Sequence, residues 1–346
     1  MAKFAEQAAR HEHTARILRE QYGIYISFVP PAQYQGQKVW AIGSRLYLNR
    51  PPKETFTEFI VSVLGSTLGE EWMAEQESRP EDERHFVRRA YSKAMEWTRT
   101  MEVQEDGLLA GVPNGWMQYL ISLAFDVASL IQAAEVPESL MRRLRTHDQY
   151  QGARYEVAVA AIFARLGCQI EFMVDEEHPE KHPEFIATHP EMGVRIAVEA
   201  KSRHRPGVIH RPGDHDDEEA QRGDVQRLYK RAVEKAPADG TPFMIFLDVN
   251  APPTPDVPAF EKQWQRDIRE WLPPADPDDK GYLALCVTNY SPHYAGDDVG
   301  VSGEFVFIES RFVRDQLPDE FRTMLLTALN TYGRVPEITE SGDIRE

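Results

Sequence analysis

Three segments decide the fold: Gly152-Ala-Arg-Tyr-Glu156, then His182-Pro-Glu-Phe185, then Val198-Glu-Ala-Lys201. The first leads into residues 157–164, apolar at every position, which predicts a helix buried on most sides rather than an amphipathic surface helix. Glu156 stands at the mouth of that run. Val159, Ala160 and Phe163 share its helical face at i+3, i+4 and i+7, so Glu156 is predicted to point inward, where a carboxylate needs a partner. Residues 184–188 and 194–201 both read as strands, joined by the turn Pro190-Glu191-Met192-Gly193. A hairpin closed there pairs residues whose numbers sum to about 383. Glu184 is then directly opposite Glu199, and the period of two places Lys201 on the same face while Val194, Ile196, Val198 and Ala200 line the other. Two carboxylates and an ammonium converge. Like charges at that separation repel strongly in a low dielectric, and a divalent cation with a preference for oxygen ligands, such as Mg²⁺, is one way to keep both ionised.

In this order the segments resemble the signature of the PD-(D/E)XK nuclease superfamily: a helix glutamate, Pro-Asp before a strand, and Asp/Glu-X-Lys on the next strand. Those places are taken by Glu156, by Pro183-Glu184 and by Glu199-Ala200-Lys201. The resemblance covers roughly residues 150–250 and departs from the family at Glu184, where Asp is usual. It implies an α/β (α+β) restriction-endonuclease-like fold with a mixed central sheet flanked by helices. It also implies a metal-dependent nuclease acting on nucleic acid, most directly DNA. Under it, Glu184, Glu199 and the Ala200 carbonyl hold Mg²⁺, with Mn²⁺ as a substitute, Glu156 orients a ligand water or a second ion, and Lys201 positions or deprotonates the attacking water. Arg154, Arg203 and Arg205 are the candidate phosphate contacts, joined by Gln226 and Lys230 on the next predicted helix. Some relatives space a Gln and a Tyr four apart on that helix; here Gln226 and Tyr229 are three apart.

Two rival readings stand beside this one. Taken singly, the acids are surface carboxylates paired to Lys201, with Glu156 favoured at a helix start by the dipole; this leaves their joint order unexplained. Alternatively the fold is retained without the reaction, as a degenerate nuclease-like scaffold that binds protein partners.

The composition, 42% hydrophobic and 27% charged, is that of an ordinary globular protein, and no apolar run approaches the ~20 residues that span a bilayer. The N-terminus lacks a secretory pattern and only Cys168 and Cys286 are present, so a reducing cytoplasm is the expected compartment. A net charge of −17 excludes a protein whose whole surface grips nucleic acid. Any such contact must be local, and the basic stretch at residues 202–213 is the nearest candidate, followed by an acidic run at 214–219.

Over 346 residues two domains are expected: a mostly helical one at 1–148 with a small β unit, and the nuclease-like one at 149–346. Helical periodicity predicts helices over 1–24, 55–68, 81–100 and 116–134, and a hairpin pairs 38–42 with 45–49. Target recognition, homodimer formation and binding of a protein partner are all open to that part, and its attachment resembles prokaryotic restriction and defence proteins. After residue 201 come a helix at 220–236, a buried strand at 242–249, a helix at 260–272, strands at 282–288 and 304–308 that extend the sheet, and a helix at 318–332. Neither His11 and His13, which point to different helix faces, nor His178, His182 and His189, read as solvated loop residues, suggest zinc. No internal repeat, phosphate-binding glycine loop or Gly-X-Ser-X-Gly nucleophile pattern is present.

Overall fold

The computed structural model describes residues 2–104, 109–173, 181–205, 221–272, 282–310, 317–339 and 341–345. The first half comprises α1 (Ala2–Tyr22), an antiparallel sheet of β1 (Ala32–Tyr34), β2 (Gln37–Ile42) and β3 (Arg45–Arg50), and helices α2 (Phe56–Leu68), α3 (Glu70–Ser78) and α4 (Phe86–Thr98). A ribbon of β4 (Glu102–Val103) and β5 (Leu109–Ala110) precedes α5 (Gly115–Ala133) and α6 (Glu138–Arg145). The rest runs α7 (Tyr150–Arg165), β6 (Gln169–Phe172), β7 (Phe185–His189), β8 (Val194–Ser202), α8 (Val225–Val233) and β9 (Phe243–Asp248). It continues with α9 (Gln263–Trp271), β10 (Ala284–Asn289), β11 (Glu304–Glu309), α10 (Asp319–Asn330) and a final pair, β12 (Glu337–Ile338) and β13 (Ile344–Arg345).

The second half is built on one six-stranded mixed sheet of order β11-β10-β9-β8-β7-β6. Strands β6, β7 and β8 form an antiparallel meander, β9 and β10 run parallel to β8, and β11 returns antiparallel. Parallel neighbours cannot be joined by a tight turn, and α8 supplies the crossover from β8 to β9. The β7–β8 hairpin has the register predicted from its turn: Phe185 faces Val198, Ile186 faces Ala197 and His189 faces Val194. Gly193 closes that turn at φ 64°, a left-handed conformation that Gly adopts without steric cost. Both faces of the sheet are covered, and alternate residues separate them. Phe185, Val198, Met244 and Phe246 pack toward α7, whereas Ile186, Ala197, Ile245 and Leu247 pack toward α8 and α9 through Leu228, Tyr229, Trp264 and Ile268.

Helix α7 is the centre of the molecule. Every side chain from Ala153 to Arg165 is buried, because α7 lies between the sheet and α5, α6 and α10. One hydrophobic cluster therefore takes residues from both halves, including Phe59, Leu123 and Leu144 beside Phe163, Phe246 and Phe321. The expected boundary at 148/149 falls between two helices packed on each other, and the N-terminal helices form the cover of the α7 layer.

Some elements differ from expectation. Residues 81–83 form a separate 3₁₀ turn, so the predicted helix begins only at Phe86, where His85 accepts from the Val87 N–H. Helix α3 and strand β6 were not predicted. Strand β6 has four residues at the sheet edge with Gln169 and Glu171 exposed, a weak alternating signal. Helix α8 starts at Val225 and ends at Val233, inside the predicted 220–236. His189 is a buried end residue of β7 whose Nδ1 accepts from the Met192 N–H, while His178 lies outside the described residues. No helix among the described residues is long and apolar enough to cross a membrane, and both cysteines are free and buried.

A buried ion pair locks the two halves together. Arg165 on α7 donates to Asp126 Oδ1 on α5 at 2.8 Å, and Tyr332, just beyond α10, donates to Asp126 Oδ2 at 2.7 Å. Removing one member leaves the other charge buried without its counter-ion, which costs about 3–5 kcal/mol, whereas a matched apolar pair is tolerated. Asp126→Ala should therefore lower the urea midpoint sharply in a single cooperative transition, and Asp126→Leu with Arg165→Met should recover most of the loss.

Candidate active site

Four elements bring charged side chains to one place. Glu156 comes from α7, Glu184 directly precedes β7, Glu199 and Lys201 lie on one face of β8, and Lys235 sits in the turn after α8. The ladder continues one residue past β7, because Glu184 N donates to Val198 O at 3.0 Å and Glu184 O accepts from Met173 N at 3.0 Å. Glu184 thus meets Glu199 as the hairpin register requires. Lys201 Nζ donates to Glu184 Oε1 at 2.7 Å and also pairs with Glu199 Oε1. Lys235 Nζ stands 3.5 Å from Glu184 Oε1 and 3.7 Å from Glu199 Oε1. Arg143, reaching over from α6, donates to Glu156 Oε2.

Glu199 has no solvent exposure, since β8 is flanked by β7 and β9 and covered from both faces. Its Oε1 is paired with Lys201, and its Oε2 has no hydrogen-bond partner among the described residues. A buried carboxylate oxygen left in this state is costly. Burial pushes the Glu199 carboxyl up to about 8, the neighbouring Glu184 charge adds to the rise, and Lys201 and Lys235 only partly oppose it. Glu156 is pushed up to about 7, again by burial first and Glu184 second, against Arg143. At Glu184 burial also works upward, but Lys201, Lys235 and Arg143 outweigh it and hold the group below its ordinary value. Lys201 is raised: burial disfavours its charge, and Glu184 and Glu199 more than compensate. Neighbouring carboxyls driven in opposite directions by their surroundings are the arrangement from which acid, base and ligand roles are made.

Oxygen donors of this kind suit Mg²⁺ or Mn²⁺, and the buried, unsatisfied Glu199 is an acceptor that a cation would satisfy. Among the described residues, no three acidic, histidine or cysteine side chains are grouped closely enough to hold an ion as they stand. The acids are instead turned toward Lys201, Lys235 and Arg143. The residues fit the metal in donor chemistry, and an ion at Glu184 and Glu199 would compete with ammonium groups for the same oxygens.

The three arginines expected to meet phosphate are placed otherwise. Arg154 is buried and donates to Asp248 Oδ2 at 3.1 Å and to Tyr290 O at 3.2 Å. Arg203 pairs with Asp224 Oδ2 at 3.0 Å and donates to Arg222 O, and Arg205 donates to Val249 O at 3.1 Å and to Arg222 O at 2.8 Å. Their guanidinium groups are engaged with protein carbonyls and carboxylates, Arg154 in the interior, Arg203 on the part-exposed Asp224 and Arg222 and Arg205 on Val249 and Arg222, so they form no open basic surface there. Around them, Asp248 also accepts from Ser202 Oγ, and Asn250 Nδ2 donates to Gln151 Oε1 and Arg203 O. This network ties the ends of β8, β9 and β10 to the start of α7, and so sets where Glu156 lies relative to β8. Gln226 and Lys230 are exposed on α8, while Tyr229 is buried against Trp271 and Tyr282.

Reading the sequence missed three contributors. Asp248 had a usable signal, an acid closing the apolar strand Phe-Met-Ile-Phe-Leu-Asp, which calls for a buried partner. Lys235 and Arg143 had none, because their approach depends on how α8 and α6 pack.

The raised Glu199 group has a consequence for stability. Its folded value of about 8 exceeds its ordinary 4.5, so the folded state binds the extra proton, and this contribution is lost as pH rises from about 4.5 through 8. Glu199→Gln, neutral at every pH, should match wild type near pH 4, below the unfolded value. In EDTA above pH 8 it should be more stable on the order of 1–3 kcal/mol, as read by thermal unfolding across pH.

Comparison with protein-family models, curated proteins and solved structures finds no match.

Proposed function

We propose that this chain is a metal-dependent nuclease of the PD-(D/E)XK type, hydrolysing phosphodiester bonds of nucleic acid, most directly DNA. The observation that carries this is the convergence of Glu156, Glu184, Glu199 and Lys201 in the order and strand register that such an active site requires. The succession α7-β6-β7-β8-α8-β9, with β9 parallel to β8, supports a restriction-endonuclease-like core in the same way.

Glu184, Glu199 and the Ala200 carbonyl would hold Mg²⁺, with Mn²⁺ able to replace it. When bound, the ion supplies charge stabilisation for the phosphorane and lowers the pKa of water. Glu156 orients a water molecule from the α7 side, with Arg143 fixing its carboxylate. Lys201 directs its ammonium at the attacking water, holding it for in-line displacement and offsetting the charge that grows on the phosphate. With Arg154, Arg203 and Arg205 engaged with acceptors of the protein itself, backbone phosphates fall to the exposed side of α8, where Gln226, Lys230 and Arg231 lie on the helix that leads to Lys235.

A second reading has a specific observation in its favour. The acids are balanced by Lys201, Lys235 and Arg143 without any ion, and Glu184 replaces the family's usual Asp, as expected of a degenerate scaffold serving protein partners. Incubation with plasmid, linear and single-stranded DNA and with RNA, in Mg²⁺, Mn²⁺ or EDTA, separates the two: cleavage that EDTA abolishes is expected, and none under any condition leaves the scaffold.

Two substitutions on one strand face divide the roles. Glu199→Ala should abolish both Mg²⁺ binding and cleavage, whereas Lys201→Ala should retain metal and nucleic-acid binding and slow cleavage by on the order of 10²-fold or more. Full cleavage in both variants would place the active site elsewhere. For the contact surface, Lys230→Ala with Arg231→Ala should weaken binding and reduce the slope of log K against log salt by about 2, measured by fluorescence anisotropy in Ca²⁺.

A further inference from the structure

Lys235 is held in the turn after α8 by the hydrogen bond from its N–H to Ala232 O, 3.0 Å. Its Nζ approaches Glu184 Oε1 and Glu199 Oε1, the two oxygens that Lys201 also meets. Two ammonium groups thus share one pair of acceptors, and they are not equivalent. Lys201 is anchored within β8, its side chain is 17% exposed, and it donates at 2.7 Å. Lys235 hangs from a helix end, its side chain is 29% exposed, and its 3.5 and 3.7 Å contacts exceed the ~2.7–2.9 Å of a charge-assisted hydrogen bond. Lys235 is the looser of the two.

We infer that Lys235 is the displaceable counter-cation of the acid pair: its ammonium occupies Glu184 and Glu199 in the absence of a divalent ion and withdraws toward solvent when one binds. This rests on the metal-dependent reading above and deepens it. An ion shared by these oxygens would lie within a few ångströms of both ammonium groups, where like charges repel strongly. Lys201 is the more buried of the two and holds Glu184 by the shorter contact, so it is the harder to displace. The flexible four-carbon stem of Lys235 can swing out from the turn with the backbone unmoved. Lys235 would then set the threshold of metal occupancy, because whatever the ion gains at the acids is reduced by the cost of expelling the ammonium.

The test is calorimetric titration of Mn²⁺ alone, without nucleic acid, into the full chain carrying Lys235, Lys235→Gln or Lys235→Arg. Lys235→Gln should bind Mn²⁺ about tenfold more tightly or better, and Lys235→Arg, which keeps the charge, should stay near wild type. Binding that appears only in Lys235→Gln supports the same conclusion. Equal or weaker affinity in Lys235→Gln, with wild type binding normally, overturns the role of Lys235 and leaves the metal-dependent reading standing. So does an equal gain in Lys235→Arg, since the effect then follows shape rather than charge. Absence of Mn²⁺ binding in both wild type and Lys235→Gln overturns the metal-dependent reading as well. Should Lys235→Gln fail to fold, Lys235→Met, which keeps the packing of the stem, carries the comparison.

Discussion

Opposition of Glu184 and Glu199 across the β7–β8 pair is the constraint on which the rest of this structure depends. Two carboxylates held face to face inside a protein are stable only if protonated, paired with cations or bound to metal. Protonation and pairing both have a place here, and the proposed metal would be the third. Lys201 is one residue beyond Ala200 on the same strand, so the ladder that creates the repulsion also delivers the nearest cation. Lys235 requires the crossover through α8, and Arg143 requires α6 to lie on α7. The charge cluster therefore couples local register to the packing of three separate helices.

That dependence explains which features were legible in the sequence. A four-residue turn fixes hairpin register, and a period of two fixes the face, so Glu184, Glu199 and Lys201 could be placed together by counting. Burial of α7 could also be read, since a run with no polar position has no face to offer water. The central sheet followed from the same patterns, except for β6, whose four edge residues carry too few apolar positions to stand out. The cluster shared by the two halves was not legible, because periodicity shows that a helix has an apolar face and says nothing about which layer receives it.

Arginine was the hardest residue to place. Arg154, Arg203 and Arg205 flank the acidic motif and would serve phosphate equally well from the surface, but each is drawn to acceptors of the protein itself, Arg154 to the buried Asp248, Arg203 to Asp224 and Arg205 to Val249 O. The planar guanidinium fork makes this possible, presenting five donors in fixed directions against the three of a lysine. Asp248 at the end of β9 is the partner that draws Arg154 in, and Ser202 and Asn250 complete its shell. The sequence signal lay on the acid rather than on the base.

Two physical costs bear on the choice between an enzyme and an inert scaffold. Buried charge clusters are weak contributors to stability, and well-packed apolar residues in their place are often neutral or stabilising. Glu199 is fully buried, its Oε2 lacks a hydrogen-bond partner among the described residues, and its carboxyl is displaced far above its ordinary range. A scaffold could replace the whole cluster, Glu199 together with the lysines that face it, by packed apolar residues without loss of stability. A metal-dependent enzyme could not, because a divalent cation would need the charge and oxygens of that carboxylate. The net charge of −17 weighs the other way, against broad contact with nucleic acid, so the proposed substrate backbone would need a local cationic surface such as the exposed side of α8, where Lys230 and Arg231 lie.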